Sequence, residues 1–203
     1  MVNLDLGTIE QAIKAAMAEQ IKNGHWRWVK EIKTYGGEFD DDLLEIVKIF
    51  PAIWISFVGS GSPEKISYNK IQYPITFVVL VGSRSVRNEE SRRHGAGTDI
   101  GTYTMLKNVQ ELLIENDLSS QNIQGLAPLK LGKTKTIFNT KTRGQSISVL
   151  SQEFTTQYVI TASERDREEA LTDTIIERIN FDYVFEQSGV PIASDLVELK
   201  EGN

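Results

Sequence analysis

Apolar residues recur every four positions near the start of the chain and predict an amphipathic helix over residues 8–23. Thr8 and Gln11 match a capping box at the beginning of this helix. Asn23 followed by Gly24 is typical of a helix end, because glycine readily adopts the left-handed conformation found there. The apolar stripe expected to face the core consists of Ile9, Ile13, Met17 and Ile21.

Three further segments predict β-strands. Residues 25–35 alternate between two sets of side chains, although the alternation does not indicate which face is buried. Residues 51–59 and 73–82 are stronger cases, and the second is almost wholly apolar and β-branched, so both of its faces should be covered. Three aspartates at 40–42 precede an apolar run and indicate a helix start or a solvated turn, since the ligand spacing of a metal-binding loop is absent.

The middle of the chain predicts a loop followed by a second long helix. Residues 83–97 are polar and contain glycine, which is typical of a mobile loop. The helix should begin at Thr98 or Asp99 and end near Asn116, and residues 119–128 should form a connection. The side chains expected to point inward from this helix are Ile100, Tyr103, Leu106, Val109 and Leu113.

A long β-hairpin and a closing helix are predicted after this connection. The strands of the hairpin should span residues 128–138 and 145–161, and the segment NTKTRG between them suits a turn. On the second strand, residues of one parity should face the core: Leu150, Phe154, Tyr158 and Ile160. Ser163 should open the closing helix, whose buried stripe would be Leu171, Ile175, Ile176 and Ile179.

This order of elements predicts an α+β fold. Because strands follow one another in adjacent pairs, the sheet should be largely antiparallel, or mixed, and flanked by helices, with a long projecting β-hairpin. Residues 1–181 should form one domain. Residues 182–203 lack a strong pattern and should be a C-terminal extension, either an ordered arm or a partly disordered end.

Composition narrows the functional classes. The chain has 203 residues, 40% of them hydrophobic, with a net charge of −6 and no cysteine, so disulfides and cysteine chemistry are excluded. No apolar run approaches the roughly 18 residues needed to cross a bilayer, and the first residues do not match a signal peptide. His25 and His94 are the two histidines, and neither has a second ligand at metal-binding spacing. The sequence therefore predicts no catalytic, metal or cofactor site, no membrane partner and no enzymatic activity.

Charge is distributed unevenly along the chain. Residues 118–152 contain five basic side chains and no acidic one, whereas residues 153–203 contain twelve acidic and four basic side chains. Unlike charges on different surfaces suit a head-to-tail contact between copies of one chain. The alternative is a solvated helix that follows a basic hairpin. The candidates for self-contact are Lys130, Lys133, Lys135, Lys141 and Arg143 on the basic side, against Glu164, Asp166, Glu168 and Glu169 on the acidic side.

A second basic feature lies in the 83–97 loop. Glu89 and Glu90 partly offset its positive charge, and no aromatic residues are interleaved for stacking on bases. Either this loop faces phosphates, or it is an exposed loop with internal charge balance. Its candidate DNA-facing residues are Arg84, Arg87, Arg92 and Arg93.

The order of motifs over about residues 8–162 resembles a known family. After an opening helix come FPAIWISFVG, YPITFVVLVGSRS and an Arg/Gly loop, then TDIGTYTMLKNVQELL and LAPLKLGKTKTIFNTKTRGQSISVLSQEFTTQYVI. This pattern is similar to that of the small phage proteins encoded near the tail sheath gene in Mu-like contractile-tailed phages. The resemblance implies a tail terminator, also called a tail completion protein, with a tail-terminator-like α/β fold that assembles into a hexameric ring.

The predicted function is therefore that of a structural virion protein. The resemblance implies a ring at the head-proximal end of the tail, in the virion, after assembly in the host cytoplasm. The ring would stop polymerisation of tube and sheath and join the tail to the neck. The implied partners are further copies of this chain, the tail tube protein, the tail sheath protein, the neck or connector protein and, transiently, passing DNA.

Two other functions stay open from the residues alone. One is a nucleic-acid-binding module that uses the 83–97 loop and the hairpin tip. The other is a small-molecule enzyme without a known motif, since a buried carboxylate pair can be assembled from distant parts of a chain.

Overall fold

A computed structural model describes seven segments of the chain. They comprise residues 4–37, 47–84, 93–96, 99–137, 147–162, 178–184 and 191–198. Contacts divide the chain into two compact units, Met1–Ala162 and Ser163–Asn203.

The first helix, α1 (Leu6–Lys22), is confirmed, but its cap differs from the prediction. Asp5 is the N-cap residue, and its Oδ1 accepts a hydrogen bond of 2.6 Å from the backbone N–H of Thr8. The capping box at Thr8 was therefore wrong, because the helix begins one turn earlier and Thr8 is a donor to the cap and not the cap itself. At the other end, Asn23 is the C-cap and Gly24 has a φ of +79°, as the glycine signal predicted.

The strand predicted over 25–35 is much shorter in the structure. The backbone N–H groups of His25 and Trp26 both donate to the carbonyl of Gln20, so this segment wraps around the end of α1 instead of pairing with a strand. Trp26 and Trp28 stack with ring centroids 5.5 Å apart. Only β1 (Glu31–Thr34) is a strand.

The main sheet has six strands and is mixed, as predicted. Its strands are β1, β2 (Ala52–Ser60), β3 (Glu64–Lys65), β4 (Lys70–Arg84), β7 (Lys130–Thr136) and β8 (Ile147–Thr161). They are ordered β1-β2-β4-β8-β7, and β3 also pairs with β4. Among the described strands of this sheet, only β1 and β2 pair in parallel.

Two 15-residue strands form the centre of this sheet. They pair antiparallel along their whole length, from Lys70 opposite Thr161 to Arg84 opposite Ile147. The strand predicted over 73–82 is therefore extended at both ends. The additional residues Lys70, Ile71 and Gln72 pair with Thr161, Ile160 and Val159 of β8.

Helices cover one face of the sheet, and a smaller apolar cluster covers part of the other. The helix side contains the larger core, which includes Ile53, Phe77 and Phe154. The opposite face carries a cluster around Trp54 and Leu80 near one end of the sheet. The prediction that both faces of 73–82 are covered is thus confirmed at the end nearest Leu80.

The second helix, α2 (Thr102–Leu113), begins later than predicted and has Gly101 as its N-cap. The residues before it form two short paired strands, β5 (Gly95–Ala96) and β6 (Asp99–Ile100). Met105, Leu106, Val109 and Leu113 are buried. Tyr103 is 42% exposed, so its predicted inward orientation was wrong. Its ring contacts the imidazole of His94 instead of the core.

Both strands of the predicted hairpin are present as β7 and β8, and both belong to the main sheet. The predicted turn NTKTRG, residues 139–144, lies outside the described residues, so projection of the hairpin remains a prediction. Leu150, Phe154 and Tyr158 are buried as expected. Ile160 is 40% exposed, which corrects the prediction; its cross-strand partner Ile71 is exposed as well. The helix layer does not cover this end of the sheet.

The second unit contains an antiparallel pair, β9 (Arg178–Val184) and β10 (Pro191–Glu198). Residues 163–177 of the predicted closing helix lie outside the described residues, but Ile179 is in a strand and not in a helical stripe. Ile179, Phe181 and Tyr183 alternate with polar residues, which is the period of a strand. The domain division predicted at residue 182 lies inside β9.

The residues 40–42, where a helix start or turn was predicted, are also outside the described part of the chain. The described residues resume with a short 3₁₀-helix, Val47–Ile49.

Candidate interaction surfaces

Strand β7 forms one edge of the main sheet and presents the described part of the basic block. All seven of its residues are exposed. Lys130 lies opposite Thr155, and Lys135 lies opposite Ser151. These positions have the opposite parity to the buried residues Leu150 and Phe154, so both lysines project from the face without helices.

An acidic residue on the neighbouring strand partly neutralises this edge. The Lys135 Nζ lies 3.2 Å from Oε1 of Glu153. The hydrogen bond from Lys135 holds the pKa of the Glu153 carboxyl below its ordinary value of 4.5, and the charge of Lys135 and the backbone N–H of Lys133 act in the same direction. In the sequence, the block without acidic residues ends at residue 152. In the structure, Glu153 of the following block lies beside Lys135, so the basic and acidic residues are not fully separated.

A β-bulge interrupts the β7–β8 ladder between Leu131 and Thr134. The side chain of Gln152 fills this irregularity and is 1% exposed. Its Nε2 donates to the carbonyl of Gly132 at 3.1 Å, and its Oε1 accepts from the Thr134 hydroxyl at 2.6 Å. Oε1 also accepts from Nε2 of Gln110 on α2 at 2.7 Å. The Gln152 side chain therefore supplies hydrogen bonds to the polar groups of the bulge and links the bulge to α2 through Gln110.

These features protect β7 from adding another strand. Bulges and lysines are common devices by which edge strands avoid pairing with other chains. A contact that uses the lysines of β7 would therefore depend on side chains more than on backbone pairing.

The remaining predicted self-contact residues lie outside the described segments. These are Lys141 and Arg143 on the basic side, and Glu164, Asp166, Glu168 and Glu169 on the acidic side. Pairing between the two groups thus remains a prediction.

The structure brings two of the four predicted DNA-facing arginines to the same end of the sheet. Arg84 is exposed and ends β4, opposite Ile147. Arg93 lies against the N-terminus of α2, because a Cβ on Gly101 would be 2.2 Å from its carbonyl oxygen. The neighbouring Thr102 hydroxyl lies 3.1 Å from that of Ser148, which follows Ile147. Arg87 and Arg92 are outside the described residues.

The opposite end of the sheet carries a surface that the sequence analysis missed. We define the apolar tip as the exposed side chains Ile66, Tyr68, Ile71, Val159 and Ile160. Ile66 and Tyr68 lie on the β3–β4 turn, Ile71 lies near the start of β4, and Val159 and Ile160 lie near the end of β8. Ile71 and Ile160 are opposite each other on one face of the sheet, and Val159 has the opposite parity. Their β-branched composition is typical of strands, so only the extent of the helix layer distinguishes them from core residues.

A groove between α1 and residues 119–125 is the second surface that the sequence did not indicate. It consists of two adjoining hollows of about 650 and 580 Å³ that share Thr8, Gln121 and Ile123. We call it the α1 groove. Its apolar lining residues are Leu4, Ala12, Ala15 and Ile123.

Within the described residues, no group of three or more His, Asp or Glu side chains is arranged to hold a metal ion. None of the helices in this part of the chain combines the length and apolar character that crossing a bilayer requires.

Comparison with known proteins relates the chain to a phage family. The family model described as "Bacteriophage Mu, Gp37" matches residues 9–159. A chain in a solved structure titled "Virion of native gene transfer agent (GTA) particle" is similar with a TM-score of 0.48 and 11% sequence identity. That similarity covers 76% of this chain and 96% of the other. No curated protein sequence matches this one.

Proposed function

This chain belongs to the family described as "Bacteriophage Mu, Gp37", and we propose that it is a structural virion protein that terminates a contractile phage tail. The family match over residues 9–159 is the observation that carries the proposal, because it includes all or most of both helices and of each of the six strands of the main sheet. The proposed function involves no enzymatic step, metal or cofactor.

In the proposed mechanism, copies of the chain close into a hexameric ring at the head-proximal end of the tail. One side of the ring resembles what the next ring of tube protein would offer, so it docks on the last tube ring. The other side offers no matching site for tube or sheath protein and binds the neck instead, so growth ends. Ring closure requires a heterologous contact, in which two different surfaces of the same chain meet.

The lysines of β7 are proposed as one side of a charged contact between neighbouring copies. Lys130 and Lys133, with Lys141 and Arg143, would face the acidic residues Glu164, Asp166, Glu168 and Glu169 of the next copy. The ion pair of Lys135 with Glu153 lies within one copy, so Lys135 would contribute less than the others. Exposed pairs are individually weak, about 0–1 kcal/mol each, so this contact would need several of them.

The arginine end of the sheet is proposed to face the lumen of the ring. Arg84 and Arg93 lie at the same end of the sheet. In the sequence, Arg87 follows Arg84 by three residues and Arg92 directly precedes Arg93. Positive side chains there would contact the phosphates of passing DNA without reading its sequence.

Electron microscopy of particles from cells that lack this chain tests the proposed function. A missing terminator should give tails of abnormal length, or tails without heads, because polymerisation has no stop and the neck has no attachment site. Restoring the chain should return tails of uniform length attached to heads. Uniform, head-attached tails in its absence would contradict the proposal.

A further inference from the structure

The apolar tip is an exposed surface on a part of the sheet that strand pairing and backbone hydrogen bonds hold in place. Nine large apolar side chains in the described residues are strongly exposed, and five of them belong to this tip. Ile71 lies between Lys65 and Ile160 in a row across three strands. The N–H of Ile66 donates to the carbonyl of Lys70 at 2.9 Å, and that of Ala162 donates to Asn69 at 2.7 Å. Apolar side chains grouped on an ordered scaffold are typical of an interaction site.

Hydrogen bonds and buried side chains also hold the walls of the α1 groove in place. On one side Gln121 Nε2 donates to Oε2 of Glu19 on α1 at 3.0 Å. Leu118, which is fully buried, anchors the segment that forms the other wall. The Asn116 side chain accepts from the backbone N–H of Leu118 at 2.8 Å, which holds this segment in place. The groove is therefore a preformed hollow with room for several apolar side chains.

The charges around the two surfaces are complementary. Lys65 and Lys70 are exposed beside the apolar tip and outnumber the exposed acidic residue Glu64 on β3. Asp5 lines the α1 groove, and Glu19 borders it through its hydrogen bond to Gln121. The backbone N–H of Thr8 lowers the pKa of Asp5, so this carboxyl is ionised at neutral pH. Complementary charges around an apolar centre are typical of specific protein interfaces.

We propose that the apolar tip of one copy inserts into the α1 groove of a second copy of this chain. The tip and the groove are different surfaces, so the contact is heterologous and can be repeated around a ring. A second copy is the favoured occupant because one chain presents both halves, with matched apolar character and opposite charge. This inference rests on the proposed ring and assigns to it a contact distinct from that of the β7 lysines.

Disulfide trapping tests the contact, because the chain has no cysteine of its own. Full-length Ile66→Cys and Ala15→Cys variants, carrying tags of different mass, are mixed under oxidised glutathione. A disulfide requires Cα atoms about 4.4–6.8 Å apart, so the mixed dimer forms efficiently only where tip and groove meet. The matched control replaces Ile66→Cys with Tyr103→Cys, which is similarly exposed but lies on α2, beside Thr102, whose hydroxyl contacts Ser148 near the other end of β8. A mixed-dimer yield no higher than that of the control would overturn the inference for the free chain.

The same variants in assembled particles separate this inference from the proposed function. Particles that contain the Ile66→Cys/Ala15→Cys double variant should give a ladder of linked multimers on a non-reducing gel. Particles that contain the chain without such a ladder overturn the contact and leave the terminator function intact. Complete particles that lack the chain contradict the proposed function itself.

A charge placed on the tip gives a second, independent measurement. Ile66→Asp should weaken self-association by about tenfold or more, which corresponds to about 1.4 kcal/mol. Tyr103→Asp should leave it unchanged, and circular dichroism should confirm that both variants are folded. If folded Ile66→Asp associates with itself as well as the unmodified chain does, the tip is not part of the contact.

Discussion

Gln152 stabilises the junction of β7, β8 and α2 by saturating its own hydrogen-bonding capacity. Its amide oxygen accepts from Thr134 and Gln110, and its nitrogen donates to the carbonyls of Gly132 and Glu153. A buried amide is stabilising when all of its polar atoms are paired, and its removal breaks all four of these hydrogen bonds at once.

Substitution of Gln152→Ala should lower the free energy of unfolding by about 2–4 kcal/mol, because four partner groups lose a hydrogen bond to a buried side chain and a cavity forms. Urea denaturation measures the change. Gln157→Ala is the matched control on the same strand and should cost less than about 1 kcal/mol, since that side chain is only half-buried. Equal losses for the two variants would contradict this account of Gln152.

The pair formed by Lys135 and Glu153 makes stability depend on pH in a defined direction. The pKa of Glu153 is lower in the folded chain than its ordinary value of 4.5. Its contribution is therefore fully present above pH 4.5 and is lost as the pH falls through the lowered folded value. At 24% side-chain exposure for Glu153 and 61% for Lys135, the pair should contribute no more than about 1 kcal/mol.

Lys135→Met should raise the pKa of Glu153 towards 4.5, as followed by NMR titration of its side-chain carboxyl. The free energy of unfolding should then depend less on pH below 4.5. Lys107→Met, which removes the exposed pair with Glu111, is the control and should leave the pKa of Glu153 unchanged. A pKa of Glu153 that is indifferent to Lys135→Met would show that the ion pair does not determine it.

At the scale of the element, the bulge in β7 depends on a glycine. A Cβ on Gly132 would lie 2.9 Å from the Cβ of Glu153 and 3.2 Å from its carbonyl oxygen. β2 has a similar irregularity between Phe57 and Gly59, but a Cβ on Gly59 would meet nothing within 4 Å. The two glycines therefore occupy comparable positions with opposite packing.

Gly132→Ala should destabilise the chain by about 1–3 kcal/mol, because the added methyl group forces the two strands apart at a crowded position. Gly59→Ala should be neutral or slightly stabilising, since the open position tolerates the side chain and alanine restricts the unfolded state. Thermal unfolding of both variants gives the comparison. Similar melting temperatures for the two variants would mean that β7 can shift without cost.

At the scale of the whole molecule, the two compact units divide the charges unequally. The unit Met1–Ala162 contains the whole described core, both surfaces of the proposed tip–groove contact and all five residues of the basic block. The acidic residues 164–169 belong to the other unit. A charged contact between copies would therefore join different units of neighbouring chains.

Reversing the charge at Lys141 and Arg143 by substitution to Glu should weaken the ring, because like charges would then face the acidic residues of the next copy. Native mass spectrometry measures the fraction of hexamer, and raising the salt concentration should weaken the unmodified ring in the same direction. Tyr103→Asp also adds negative charge and serves as a control away from the basic block. An unchanged hexamer after charge reversal would reject the pairing.

Predictions from the sequence pattern were correct where the residues of one helix or strand are enough to favour its conformation. The stripe of Ile9, Ile13 and Met17 has the period of a helix, and the apolar run in β4 is rich in β-branched residues, which favours a covered strand. The N-cap at Asp5 could also have been found from the sequence, because aspartate is a preferred N-cap residue and Asp5 stands just before the apolar stripe. By contrast, Trp26 and Trp28 alternate as in a strand, but nearby helix carbonyls compete for the backbone donors of this segment.

The sequence by itself determined the helices near residues 8–23 and 99–116, the central strands, the α+β class and the relation to a phage family, because periodicity and motif order are properties of consecutive residues. Only the tertiary structure decided which of these residues remain exposed. Ile71 and Ile160 have the same composition and parity as core residues, and they lie at the surface because the helix layer ends before them. Likewise, Glu153 neutralises Lys135 although 18 positions separate them, since antiparallel pairing brings distant residues together. Burial and electrostatics depend on what packs against a side chain, and packing joins residues that are remote in the chain.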